Sequence, residues 1–394
     1  MQVVVKLPAK HETWRNGVHL SLTRRRFLTS FALTLVMVPS LAAPRTSAPK
    51  NVILLIGDGM GFSEVTLARL ALGKADAALA MDSMKYTAFV KTHPADSDKA
   101  RGIVTDSAAA STAMATGHKT RNGMLGVLPN GKPVRTILEA AQEMGKGTGL
   151  VTTVTITHAT PAGFASHVPS RGSEAEIAVQ YLEHKVDVLM GGGESFFLPQ
   201  SAEGSKRKDD RDLIDQARQA GYTVARSREE MLKAGGPRVL GLFHKSHMTC
   251  RPPEPSIAEM TTKALEVLSA NRKGFFLMVE GGQIDFAGHA NNTPENVRHT
   301  LDFDAAVAVA LEFARKRGDT LVIVTADHET GGQAIVAPEA GRPGDYEVRW
   351  TSDDHSATMV PLLAEGPGAE LFVGVLDNTD IARRIARLWK ARLD

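Results

Sequence analysis

Val52-Ile53-Leu54-Leu55-Ile56, running directly into Gly57-Asp58-Gly59-Met60-Gly61, sets the architecture of this chain. Five apolar residues in a row, three of them β-branched, predict a strand covered on both faces. An amphipathic pattern follows to about Gly73 and predicts a helix. The alternation continues downstream. A helix from Val134 to Met144 precedes a strand from Gly149 to Ile156, and Val186 to Met190 reads as a strand closed by Gly191-Gly192-Gly193. Val239 to Phe243, Phe275 to Glu280 and Leu321 to Thr325 read as further strands.

Ser256-Ile257-Ala258-Glu259 is a capping box that opens a helix to about Asn271. Thr293-Pro294 opens a long helix to about Lys316, with Thr293 as the cap and Pro294 at the first helical position. Ser201 to Asp212 is polar and reads as a surface loop leading into a helix, and Thr379 to Leu393 is a closing helix. Strands alternating with helices predict an α/β fold, a three-layer sandwich around a large, mostly parallel central sheet with helices on both faces. With no internal repeat or low-complexity linker, residues 49–394 are expected to form a single catalytic domain.

The 394 residues carry 46 Lys and Arg against 44 Asp and Glu, a net charge of +2. That balance argues against nucleic acid or an anionic membrane surface as the main partner. A single cysteine, Cys250, excludes an internal disulfide framework. The N-terminus speaks to compartment. Thr23-Arg24-Arg25-Arg26-Phe27-Leu28 is a twin-arginine pattern, with an apolar run to Val38 and then Pro39-Ser40-Leu41-Ala42-Ala43. These are the three parts of an export signal, and the apolar run is shorter than the ~20 residues of a membrane span. Residues 1–48 are therefore expected to be a twin-arginine export signal, and the mature protein to be periplasmic or secreted with no membrane span.

Chemistry enters where carboxylates meet strand ends. Asp58, Glu280 and Asp327 each fall at the C-terminal end of an apolar strand run. Ligands of open α/β sheets bind beyond those ends. Thr105-Asp106-Ser107-Ala108-Ala109 opens an Ala-rich helical stretch, which puts Ser107 near a helix N-terminus, a place that favours an anion. Taken alone the segment is an ordinary serine cap. It lacks the Gly-x-Ser-x-Gly elbow of α/β-hydrolases, so a metal is the better candidate to activate the hydroxyl. Asp285 and His289 lie four apart, a spacing that turns both toward one point on a helix. Asp327-His328 and Asp353-Asp354-His355 add further carboxylates and imidazoles. Carboxylate and imidazole without thiolate suit a hydrolytic zinc site. His244, His247 and Cys250 form a His-x-x-His-x-x-Cys cluster, but the following Pro252-Pro253 reads as a loop and a metal role there is disfavoured.

Together these segments resemble the bacterial alkaline phosphatases: Gly57–Gly61, Thr105–Ala109, Ala159-Thr160-Pro161, Glu280–Asp285 with His289, Thr325–His328, and His355, in the family's order. The resemblance implies a phosphomonoesterase that works through a phosphoserine at Ser107. It implies two zinc ions, one on Asp285, His289 and His355, the other on Asp58, Asp327, His328 and the Ser107 oxygen. Asp58 would bridge to a third metal, magnesium in many members, held with Thr160 and Glu280. Arg171 would clamp the phosphate and Asp106 would orient it. The resemblance also implies a homodimer.

Two positions depart from the best-studied pattern. His158 stands near the third metal where some members have aspartate, which favours zinc or cobalt over magnesium there. Phe286 replaces a lysine or ring nitrogen and offers no charge to product phosphate. Only 26 residues separate His328 from His355, so a large insertion at the site mouth is not expected. Two other readings are a phosphodiesterase of the same superfamily, disfavoured by Arg171, and a non-enzymatic periplasmic zinc- or phosphate-binding protein, which has no need of Ser107.

Overall fold

The computed structural model describes residues 48–73, 76–96, 102–337 and 346–393. The export signal expected over residues 1–48 lies, but for its last residue, outside the described residues. Among those described, no helix is long and apolar enough to cross a membrane.

The strands are β1 (Asn51–Gly57), β2 (Tyr86–Lys91), β3 (Gly147–Thr155), β4 (Val188–Gly192), β5 (Thr223–Ala225), β6 (Val239–Leu242), β7 (Phe275–Gly281), β8 (Thr320–Thr325), β9 (Glu329–Thr330), β10 (Ala334–Val336), β11 (Glu347–Arg349), β12 (His355–Ser356), β13 (Val360–Glu365) and β14 (Gly374–Asp377). Ten form one sheet in the order β14-β2-β13-β8-β1-β7-β3-β4-β6-β5. Only β13 runs against its neighbours β2 and β8. This is the mostly parallel α/β sheet expected from the sequence.

β1 is fully buried between β7 and β8, which is why it reads as an uninterrupted apolar run. One layer over the sheet holds helices Ile257–Ser269 and Thr293–Arg317, the latter also packing on Phe62–Ala71. The other layer holds helices Ser107–Thr116, Ile137–Glu143, Ala159–Ala165 and Thr379–Trp389. Small residues let two of these approach closely: a β-carbon on Gly163 would lie 2.3 Å from Ser111 Oγ, which itself donates to the Ala159 carbonyl at 3.0 Å.

Several boundaries move. The long helix is capped by Asn292, not Thr293; Asn292 Oδ1 accepts the Glu295 N–H at 3.3 Å, and Pro294 is the second helical residue. Any cap here must reach the Glu295 N–H, since Pro294 has none. The helix expected from Val134 starts at Ile137 behind a capping box of Thr136 and Glu139. The closing helix ends at Trp389, where Lys390 takes a left-handed φ of 54°.

Candidate metal and phosphate site

Four adjacent strands aim their C-terminal ends at one place. In register, Ile56 of β1 sits beside Glu280 of β7 and Thr325 of β8, and Thr152 of β3 sits on the other side of Glu280. Asp58, Asp327-His328 and His158 leave the sheet just past these positions. The short helix Gln283–His289 then presents Asp285 and His289 on one side, as their spacing predicts.

Three groups of ligand-type atoms result: Asp285, His289 and His355; Asp58, Asp327 and His328; and Asp58, His158 and Glu280. Within each group the candidate atoms lie within 4.8 Å of one another, and Asp58 belongs to two groups. Asp58, Glu280 and His328 are fully buried. Thr160, also fully buried, lies at the start of helix Ala159–Ala165 beside Glu280.

The donor set fits cations. Both oxygens of Asp58, Asp327 Oδ2, Glu280 Oε1, Thr160 Oγ1 and His158 Nδ1 are buried with no hydrogen-bond partner. Such orphaned atoms are costly unless something positive faces them. The imidazoles are turned the same way. His289 Nδ1 bonds the Asp353 carbonyl at 2.7 Å and His355 Nδ1 bonds the Thr105 carbonyl at 2.9 Å. A carbonyl on Nδ1 fixes a proton there, so Nε2 is the nitrogen turned to the site and able to ligate once its own proton is lost. The two Nε2 atoms face each other 3.1 Å apart, an arrangement that suits an ion between them.

Electrostatics follow from the crowding. Burial first, then Asp327, Asp285 and Glu280, push the Asp58 carboxyl well above its usual range. Burial and Asp285 push Asp327 up to about 7. Burial alone would raise Asp285, but the hydrogen bond from His289 and the charges of His328, His355 and His289 hold it below its usual value. The Asp285 hydrogen bond in turn raises His289 to about 9. His328 is driven well below 6.5, by burial and then by His355.

Ser107 is the first residue of helix Ser107–Thr116 and is buried, with Oγ 3.3 Å from His328 Nε2. Asp106 is the cap. One of its oxygens accepts the Ala109 N–H at 2.9 Å; the other accepts the Gly123 N–H at 2.9 Å and Arg171 Nη1 at 3.1 Å. Arg171 is thereby tied to the residue before Ser107, and its backbone N–H donates to the Gly123 carbonyl at 2.7 Å. Arg171 Nη2 also lies 3.1 Å from His158 Nε2, leaving His158 Nδ1 toward Glu280 at 3.9 Å.

Sequence reasoning missed the residues behind these. Thr330 Oγ1 donates to Asp285 Oδ1 at 2.5 Å and sits 3.2 Å from His328 Nδ1, joining two ligand groups. Thr152 Oγ1 donates to Glu280 Oε2 at 2.5 Å, and Asn122 Oδ1 accepts the Asp106 N–H at 3.0 Å. Thr152 and Thr330 lie within a few residues of a motif in sequence or register, the one signal that could have found them. His244, His247 and Cys250 do not converge as a ligand group among the described residues. His247 instead packs edge-on against Phe286 and His158, ring centroids 4.9 and 5.8 Å away, and walls the third group.

A mostly parallel α/β sheet that gathers buried carboxylates, imidazoles, a serine and a guanidinium at its strand ends defines a metal-binding hydrolase. Comparison with known proteins narrows this. The family model for alkaline phosphatase matches residues 49–344. Alkaline phosphatase 4 of Bacillus subtilis is 36% identical over 86% of this chain and 89% of its own length. The Escherichia coli alkaline phosphatase is 38% identical over 84% of each. The solved alkaline phosphatase of the Antarctic bacterium TAB5 superposes with a TM-score of 0.80 at 35% identity, covering 87% of this chain and 99% of that one. Structures of two TAB5 variants, with Asp or Glu in place of one histidine, have Mg bound in the M3 site. The chain belongs to the alkaline phosphatase family and is a hydrolase of phosphate monoesters.

Proposed function

We propose that this enzyme cleaves phosphate monoesters through a phosphoserine at Ser107, with two zinc ions and a third cation held by the three ligand groups. The observation that carries the reading is the place of Ser107 Oγ. It stands at a helix N-terminus, 3.3 Å from His328, with Arg171 anchored on the preceding residue.

Asp285, His289 and His355 would hold one zinc; Asp58, Asp327 and His328, with Ser107 Oγ, the second; Asp58, Glu280, Thr160 and His158 the third ion. Bound there, cations would supply Lewis acidity: a lower pKa for the serine hydroxyl, and positive charge against the leaving oxygen and the incoming water. The remaining work falls to the chain. Ser107 Oγ forms a bond to phosphorus as the bond to the departing alcohol oxygen breaks, and the proton that Oγ gives up ends, by way of solvent, on that oxygen. Free N–H groups of the helix start face the phosphoryl oxygens. Arg171, braced by Asp106, grips two of them with its planar fork. Water then adds its hydroxide to phosphorus as the Oγ–phosphorus bond breaks, a proton returns to Ser107 Oγ, and inorganic phosphate leaves. Phe286 adds no charge, so product phosphate is held by Arg171, the helix-start N–H groups and the cations.

Acid quenching of the enzyme during turnover of a phosphorus-labelled monoester is expected to leave label on the peptide carrying Ser107. Label elsewhere, or none under conditions of full turnover, sinks the covalent route.

His158 bears on the third ion. An imidazole nitrogen favours zinc or cobalt, whereas magnesium prefers oxygen and water. The TAB5 variants that exchange a histidine for a carboxylate and hold Mg support the same direction. His158→Asp is therefore expected to tighten magnesium binding about tenfold or more. An unchanged magnesium Kd in calorimetry would count against His158 as a ligand.

A further inference from the structure

On the other side of the Gly57–Gly61 turn, two more carboxylates are sealed into the fold. Glu64 is fully buried and Glu329 is 5% exposed. Glu64 Oε2 accepts the Gly61 N–H at 2.9 Å and so caps helix Phe62–Ala71, while its Oε1 meets no donor. The two side chains meet over Gly61. A β-carbon placed there would lie 2.5 Å from Glu329 Cγ and 2.9 Å from Glu64 Oε2.

Glu329 Oε1 accepts the Gln333 N–H at 3.2 Å, and Glu329 Oε2 accepts the Ser356 hydroxyl. Gln333 itself is 7% exposed, and neither atom of its side-chain amide has a partner. Among the described residues neither carboxylate has a lysine, arginine or histidine as an ion-pair partner. Burial and the charge of Glu329 push Glu64 up to about 8, the mark of a carboxylate lacking a counter-charge.

We propose that Glu64, Glu329 and the Gln333 amide oxygen, with the Ser356 hydroxyl at the rim, bind a further divalent cation of the hard, oxygen-preferring class, calcium fitting best. All the donors are oxygens, which excludes a preference for zinc. Calcium tolerates the irregular geometry that such a set imposes, whereas magnesium demands a near-ideal octahedron. A proton shared between the two carboxyls would satisfy Glu64 Oε1 but leave the buried Gln333 amide without a partner. A cation takes the two unpartnered oxygens, Glu64 Oε1 and Gln333 Oε1, together.

Its placement gives it a role. Gly61 follows Asp58 by three residues, Glu329 follows His328 directly, and Ser356 follows His355 directly. A cation between them ties together three of the segments that carry ligand-type residues, without touching substrate. The proposal does not rest on the phosphatase reading, because bound metal reports on it directly.

The test uses the purified zinc-loaded enzyme equilibrated with labelled calcium. One calcium per chain is expected beyond the zinc content, with melting raised by several degrees. Glu64→Gln should lose both that calcium and the calcium-dependent rise in Tm while its zinc content stays unchanged. Glu280→Gln, which damages the third ligand group instead, should keep that calcium. Should Glu64→Gln fold poorly, Gln333→Leu serves in its place and should weaken calcium binding about tenfold. Equal calcium in the wild type and Glu64→Gln overturns the proposal. So does a Glu64→Gln enzyme as stable as the wild type with and without calcium, which would assign the pair a shared proton.

Discussion

Replacing Ser107 with alanine is expected to lower kcat/KM for a phosphate monoester on the order of 10⁴-fold, about 5.5 kcal/mol of transition-state stabilisation. The acid-stable label on the protein should vanish with it. The size follows from what remains. Arg171 would still grip phosphate, and the ligand groups keep every carboxylate and imidazole of Asp58, Asp285, His289, Asp327, His328 and His355, losing only the Ser107 oxygen from the second group. Ground-state binding should therefore survive, and the loss should fall on kcat rather than KM.

The residue change is mild for the fold. Ser107 is the first residue of its helix, and the cap is Asp106, whose bonds to Ala109 and Gly123 do not involve the serine hydroxyl. Alanine is also the best helix former, so Tm should move by little. Wild-type turnover in Ser107→Ala, with metal content intact, would transfer the nucleophile's role to water or another group. A large loss accompanied by loss of zinc would instead mean that the hydroxyl serves chiefly as a ligand. Metal analysis of the variant separates these outcomes.

Why so much of this region is legible in sequence, and why some is not, has physical reasons. β1 is legible because a strand between two parallel neighbours must be apolar at every position, and its side chains are all buried. β13 is not, because Pro361 interrupts it and a proline argues against an interior strand. The fold accommodates it between β2 and β8, where the Pro361 carbonyl accepts the Thr325 hydroxyl at 2.9 Å. β2 is missed for another reason. Its outer positions are exposed, Phe89 among them, so no continuous apolar run marks it. β4 shifts two residues along to Val188–Gly192 because Gly191 pairs with Leu242, although glycines read as a strand's end.

The site shows the same division. Asp58, Glu280 and Asp327 are visible because a carboxylate at the end of an apolar run has few structural reasons to be there. Thr152 and Thr330 are invisible because threonine is ordinary in strands. Only the register of β3 against β7, and the pairing of β9 with β12, bring their hydroxyls onto Glu280 and Asp285. Asn122 is farther still from any motif. It reaches Asp106 because the loop after Gly117 folds back on the helix start, which no local pattern announces.

Stripping the metals with a chelator is expected to abolish activity and to lower Tm by ~10 °C or more, with both restored by zinc. Each site filled at a thousandfold excess over its Kd adds about 4 kcal/mol to the folded state. The apo enzyme carries a second burden. Asp58, Glu280, Asp285 and Asp327 are all buried within the same site, and without cations their charges oppose one another.

The pH dependence has a definite sign. His289 has a folded pKa of about 9 against 6.5, so its contribution is present below 6.5 and lost as pH rises through 9. Asp58 and Asp327 are also raised, so their contribution falls from the ordinary carboxylate range up through the folded pKa, about 7 for Asp327, and the loss from His289 follows on from it. His328 is lowered and acts oppositely, but only below 6.5, where its unfolded form charges. Asp285 and Glu280 are lowered too, and their loss comes only below the ordinary carboxylate range. Between about pH 6.5 and 9 the apo enzyme should therefore lose stability steadily. In the metal-loaded enzyme those ligand atoms are already deprotonated and paired with cations, so no such fall is expected. The gap in Tm between the two forms should widen across this window. A constant gap would mean that Asp58, Asp327 and His289 do not hold metal together, and the three-ion arrangement would have to be redrawn.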